Sequence, residues 1–165
     1  MQKLRSILLV DDDEVTNFIN TELINSLGVT NHLKVCENGK EALEYLDVAH
    51  SENAGADHIV PDIIFLDVNM PVMNGMEFLE AYKNRFKDCD TIITMLSTTQ
   101  IQQEVFQTLT TTNLVVSFIE KPLTKEKITD LVSGILRVYY HNCKSEDEKA
   151  DAKDSSERAP EEENS

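Results

Sequence analysis

Ile63-Ile64-Phe65-Leu66-Asp67-Val68-Asn69-Met70-Pro71 is the stretch from which the fold of this chain can be worked out. Four consecutive apolar residues suit a short strand buried on both faces, and the run stops at a carboxylate. Two distant stretches repeat the pattern. Ile7 to Val10 leads into Asp11, Asp12 and Asp13, and Val115 to Ile119 leads toward Lys121-Pro122. In an open parallel sheet the carboxyl ends of the strands converge on one crevice, so polar residues just past three strand ends can meet however far apart they lie in sequence.

Outward from these runs, short apolar strands alternate with helical spacing, the pattern of an α/β fold with a parallel sheet. Strands are expected at about 5–10, 31–36, 62–67, 91–96 and 114–119, each followed by a helix. The fold expected is therefore a five-stranded parallel doubly wound sheet with five helices. Val15, Phe18, Ile19, Leu23 and Leu27 mark the first helix, with Val15 and Ile19 assigned mainly to the core, although apolar residues beside the acids could also form a partner-docking face. Asp13 is its N-cap and Gly28 its end. Asn38-Gly-Lys-Glu41 and Asn74-Gly-Met-Glu77 read as capping boxes of the Asn type. The helix expected over about 99–109 is weakened by Thr108 and Thr110 to Thr112, and residues 50–60 form a long polar loop. Met70, Met73 and Met76 are expected to pack or line a loop, and the four histidines lack ligand spacing.

The 165 residues suit one domain, here 1–141, plus an appendage. Residues 142–165 hold nine acids and four bases, with only Cys143 and three alanines as apolar side chains. Such a stretch buries too little to offset its ordering entropy and is expected to be a disordered acidic tail. The remaining 21 acids against 11 bases argue against direct nucleic-acid binding, which needs positive surface. Three cysteines without a Cys-x-x-Cys pair, no signal-peptide core and no apolar stretch of spanning length predict a soluble, cytoplasmic protein without membrane insertion.

Three carboxylates in one pocket repel by about 4 kcal/mol per pair at 4 Å with an effective dielectric near 20, so the cluster calls for a cation. Hard oxygen donors favour Mg²⁺, which also accepts phosphate oxygen as a ligand. Asp11, Asp12 and Asp67 with Mg²⁺ and Lys121 sum to zero charge, ready for a phosphoryl group. Asp67 can then be the nucleophile, and Lys121 can take developing charge on the transferred group.

With these residues in view, the chain resembles the receiver domains of response regulators in two-component signalling, over roughly residues 4–140. The likeness is carried by Leu9-Val10-Asp11-Asp12, by Leu66-Asp67-Val68-Asn69-Met70-Pro71-Val72-Met73-Asn74-Gly75, by Met95-Leu96-Ser97 and by Phe118-Ile119-Glu120-Lys121-Pro122. The resemblance implies a flavodoxin-like strand order 2-1-3-4-5. It implies that Asp67 is the phosphoacceptor, that Asp12 binds Mg²⁺ directly and Asp11 partly through water, and that the Asn69 backbone carbonyl is a further ligand. Ser97 would hydrogen-bond the phosphoryl group, Phe118 would be the aromatic switch, and the Lys121–Pro122 peptide would be cis. Thr98 stands where the family often has alanine, and Phe118 lacks a tyrosine hydroxyl. The donor implied is a histidine kinase or a histidine phosphotransfer protein. No output domain is read after the last helix, so a stand-alone regulator acting through a downstream protein target is expected. A rival from another class, a haloacid-dehalogenase-like phosphatase, would make Asp11 the nucleophile through Asp11-Asp12-Asp13-Glu14-Val15, but leaves Asp67 without a role.

Overall fold

The five apolar runs become the strands of one parallel sheet: β1 (Ile7–Val10), β2 (Leu33–Cys36), β3 (Ile63–Asp67), β4 (Ile92–Ser97) and β5 (Val116–Glu120). Their order is β2-β1-β3-β4-β5, as expected. The structure, a computed structural model, describes residues 2–87, 89–98 and 116–138. It divides into a unit of Met1–Thr129 and a unit of Asp130–Ser165. In the second unit the described residues, 130–138, are helical, with Val132 and Ile135 buried. The helix expected over about 99–109 and the tail expected over 142–165 lie outside the described residues.

Every residue of the interior strands β1 and β3 is buried, while the edge strand β2 is buried only at Cys36. The continuous apolar runs reflect this, because an interior parallel strand is covered on both faces. Register places Val10 opposite Cys36 and Leu66, Asp67 opposite Leu96, and Ser97 opposite Glu120. The strand ends that carry the polar residues are thereby brought level.

Three helices follow in the first unit, α1 (Glu14–Leu27), α2 (Gly39–Ala49) and α3 (Gly75–Arg85), and residues 125–129 are also helical. Their starts and stops follow local chemistry. The Asp13 carboxylate accepts the Thr16 N–H at 2.7 Å, and Gly28 ends α1 at φ 60°, a left-handed cap that suits glycine. Asn74 and Glu77 form a complete capping box at α3, whereas at α2 the Glu41 carboxylate accepts from Glu37 instead of Asn38. On one side of the sheet, Leu8, Val10, Ile64 and Leu66 belong to a cluster with Leu43 and Leu46 of α2 and Phe78 and Tyr82 of α3. Met70 is buried, and Met73 and Met76 pack against that cluster, which is where the methionines were expected. Truncating a buried leucine here costs about 2–5 kcal/mol.

Helix α1 corrects the sequence reading. Val15, Phe18 and Ile19 are 67%, 67% and 57% exposed, so Val15 and Ile19 are not core. The buried positions are Asn17, Asn20 and Ile24. Those three follow helical spacing, and a helix that turns 17, 20 and 24 inward must turn 15, 18 and 19 outward. On that inner face the Asn17 amide bonds the Asp11 carbonyl and Ile24 is fully buried. Among the described residues no helix is long and apolar enough to cross a membrane.

Candidate functional site

At the carboxyl ends of β1 and β3, carboxylate oxygens of Asp11, Asp12 and Asp67 all lie within 4.8 Å of one another. Asp11 and Asp67 are buried and Asp12 is exposed, so the group opens to solvent on one side. Lys121, just past β5, donates from Nζ to Asp11 Oδ2 at 2.6 Å and lies 3.1 Å from Asp67 Oδ1. It is held there by the chain, since its N–H donates to the Ser97 carbonyl at 2.8 Å; the Lys121–Pro122 peptide is cis. Ser97 ends β4 and is buried. The four sequence positions Asp11, Asp12, Asp67 and Lys121 thus meet in one place, with Ser97 at the neighbouring strand end.

Electrostatics follow from the crowding. Burial pushes the Asp67 carboxyl above the ordinary aspartate range; the Lys121 bond and the Asn69 backbone N–H oppose this, and the Asp11 charge adds to it. Burial works against the Lys121 charge, but its bonds to Asp11 and Asp67 outweigh it and raise its pKa. One lysine serves two buried carboxylates and leaves a third beside them. Hard oxygen donors at this spacing fit Mg²⁺, which would complete the charge balance.

The loop after β3 is closed tightly. The Gly75 N–H donates to the Val68 carbonyl at 2.9 Å, and a Cβ on Gly75 would sit 2.7 Å from the Asp67 carbonyl oxygen and 3.0 Å from Val68 Cα. Only glycine lets α3 begin this close to the strand end. Inside the loop the Met73 N–H donates to the Pro71 carbonyl across Val72, whose φ of 71° is a strained γ-turn for a β-branched residue. Asn69, exposed, lies in this loop two residues past Asp67.

A 270 Å³ cavity opens beside Lys121, lined by Thr16, Ile19, Asn20, Thr98, Pro122 and Leu123 among others. Exposed Val15 and Phe18 belong to the same helix as its Ile19 wall. Phe118 is half-buried on β5, opposite Met95, and packs against the apolar cluster. The described histidines are occupied elsewhere: His50 stacks on Phe86, His58 on Tyr45, and His32 Nδ1 lies 3.2 Å from Ser6 Oγ.

Sequence reasoning missed Asn17, whose amide bonds the Asp11 carbonyl. The available signal was a polar residue about one turn after the N-cap, on the side of the helix opposite to the apolar stripe.

Comparison with known proteins bears on the family and the fold. The family model described as "Response regulator receiver domain" matches residues 7–133. The transcriptional regulatory protein CitT of Halalkalibacterium halodurans is 32% identical over 127 residues, 76% of this chain and 50% of that protein. The chain therefore spans about half the length of that relative. A two-component response regulator from Cytophaga hutchinsonii superposes with a TM-score of 0.71 at 27% identity, covering 82% of this chain and 99% of that one. Chemotaxis protein CheY4 of Vibrio cholerae superposes with a TM-score of 0.63 at 25% identity, covering 80% and 98%.

Proposed function

Because the chain belongs to the response regulator receiver domain family of two-component signalling, we propose that Asp67 is its phosphoacceptor and that Asp11, Asp12, Asp67 and the Asn69 backbone carbonyl hold Mg²⁺. Asp phosphorylation and Mg²⁺ binding at an acidic cluster are characteristic of the family. The observation that carries the assignment to Asp67 is its shared lysine: a buried, under-compensated carboxylate at a strand end, with Lys121 3.1 Å away. The donor is a histidine kinase or a histidine phosphotransfer protein. An oxygen of ionised Asp67 attacks phosphorus, the new O–P bond forms as the P–N bond breaks, and the departing imidazole keeps the electron pair of that bond. Lys121 opposes the effect of burial on the Asp67 carboxyl and faces the charge on the transferred group. Held by these residues, Mg²⁺ would supply positive charge to offset the carboxylates and the incoming phosphoryl group.

Exposed Val15, Phe18 and Ile19 supply apolar contact for the donor beside the site, in place of the core role first assigned to two of them. After transfer, Ser97 hydrogen-bonds the phosphoryl group and Phe118 turns inward, altering a face read by a protein target. A hydroxyl contact of this kind contributes about 0.5–1.5 kcal/mol, so the switch shifts populations instead of locking one state. The domain is taken as 1–141 with 142–165 as an acidic tail, acting in the cytoplasm.

Incubation with a small acyl phosphate and Mg²⁺, borohydride reduction and peptide mapping test the acceptor. Label is expected on Asp67. Label on Asp11 would support the phosphatase-like alternative, and an unlabelled wild type would count against phosphoacceptor chemistry.

A further inference from the structure

We propose that Asn17 is a positioning residue for the acid pair at the end of β1, setting Asp11 and Asp12 for the divalent cation; this rests on the metal-binding assignment above. The Asp11 N–H still belongs to the sheet, donating to the Cys36 carbonyl at 3.2 Å. The Asp11 carbonyl is instead satisfied by Asn17 Nδ2, in a buried bond of 2.7 Å. A buried backbone carbonyl needs such a donor, and here it comes from a side chain.

The position of that carbonyl gives the bond its consequence. It belongs to the peptide linking Asp11 to Asp12, and the orientation of that peptide governs the directions in which the two side chains leave the backbone. Asp11 turns inward, with Oδ1 accepting the Asp13 N–H at 3.0 Å and Oδ2 accepting Lys121. Asp12 turns outward to solvent. The Asn17 N–H also donates to the Asp13 carbonyl at 2.9 Å. Asn17 therefore grips the acid loop twice, once from its backbone and once from its side chain.

The net contribution of the residue to stability is small. Asn17 is 6% exposed, and its Oδ1 has no hydrogen-bond partner among the described residues. Burying an unpaired amide oxygen is costly, and an apolar side chain of similar shape would avoid that cost. The gain lies in the donor half of the amide. Asn20 offers an internal control, being equally buried on the same helix without a hydrogen bond to Asp11, Asp12 or Asp13.

The test is calorimetric titration of Mg²⁺ into the full chain, without any phosphoryl donor, alongside melting in Mg²⁺-free buffer. Asn17→Leu keeps the shape and removes the donor. It is expected to stay folded, with a melting temperature near that of the wild type because the orphaned Asp11 carbonyl and the removed unpaired Asn17 Oδ1 offset one another, while its Mg²⁺ affinity falls about 10- to 100-fold, the range seen when a residue supporting a metal ligand is lost. Asn20→Leu is expected to bind Mg²⁺ as the wild type does. If Asn17→Leu does not fold, the same titration on Asn17→Ala decides by the same criterion. Affinity within twofold of wild type in the Asn17 variant, or an equal loss in Asn20→Leu, overturns the proposal. A wild type that does not bind Mg²⁺ would instead overturn the metal assignment on which it rests.

Discussion

Two buried aspartates bracket β3, Asp62 just before it and Asp67 at its end, and their surroundings are opposite. Asp62 is 2% exposed and receives the Arg5 backbone N–H at 2.7 Å and the Arg5 Nε at 3.0 Å. The same arginine adds its terminal nitrogen, so one carboxylate has a whole guanidinium and a backbone donor. Asp67, 6% exposed, shares a single lysine with Asp11 while Asp12 stands beside them. A saturated carboxylate contributes to the fold. An under-compensated one raises the energy of the empty site and rewards whatever cation or electrophile enters. The same residue type is thus saturated by partners at the amino end of one strand and, on the function proposed above, reactive at its carboxyl end.

This contrast is broken most severely by removing Asp12, the proposed outward ligand of the metal. At Mg²⁺ one hundredfold above its Kd, the wild type is expected to gain about 2.7 kcal/mol, or roughly 8 °C in melting temperature. Asp12→Ala is expected to lose nearly all of that gain while melting slightly higher than wild type without metal. Thermal melts at several Mg²⁺ concentrations separate the two effects, and an undiminished gain in the variant would remove Asp12 from the ligand set.

At the other end of β3, Asp62→Ala is expected to cost about 2 kcal/mol in urea unfolding, below the loss seen for fully buried pairs because Arg5 can rehydrate. Mg²⁺ affinity should be unchanged. A metal defect in this variant would mean that the two ends of the strand are coupled.

A smaller effect, with pH dependence, belongs to Asp67→Asn. The pKa of Asp67 is raised in the folded state, so its contribution is favourable below the ordinary aspartate range and is lost as pH rises through the raised value. Without metal, the asparagine variant should therefore be more stable at pH 7, by on the order of 1 kcal/mol. The advantage should vanish in acid, where wild-type Asp67 is protonated. A gain that persists unchanged at low pH would point to packing instead of charge.

The smallest effect is expected from truncation after His141. Removing so polar a segment should leave melting temperature and labelling within error of the full chain. A marked drop in melting temperature would give the tail a structural role.

Legibility in the sequence was uneven for physical reasons. The strands and α-helix caps were readable because they rest on neighbours in sequence: Asp13 reaches three residues on, Asn74 two and three, and Gly28 ends its helix by its own φ. The acids at the strand ends were readable for the same reason, as polar stops to apolar runs. The facing of α1 was misread because five apolar residues suggested a core stripe, whereas the buried positions are Asn17, Asn20 and Ile24, and which face meets the sheet is set by contacts distant in sequence. The pairing of Arg5 with Asp62 gave no local sign at all.

By itself, the sequence determined which segments become strands, where most helices begin, and which side chains stand at the carboxyl edge. These depend on hydrophobic period and on hydrogen bonds spanning a few residues. Only the tertiary structure decided that Lys121 is shared by Asp11, 110 positions away, and Asp67. It also decided that Gly75 closes on the Asp67 carbonyl and that Asn17 faces inward. Those facts depend on strand register and on how closely helices approach the sheet, which are set by packing across the whole unit instead of by any one stretch of chain.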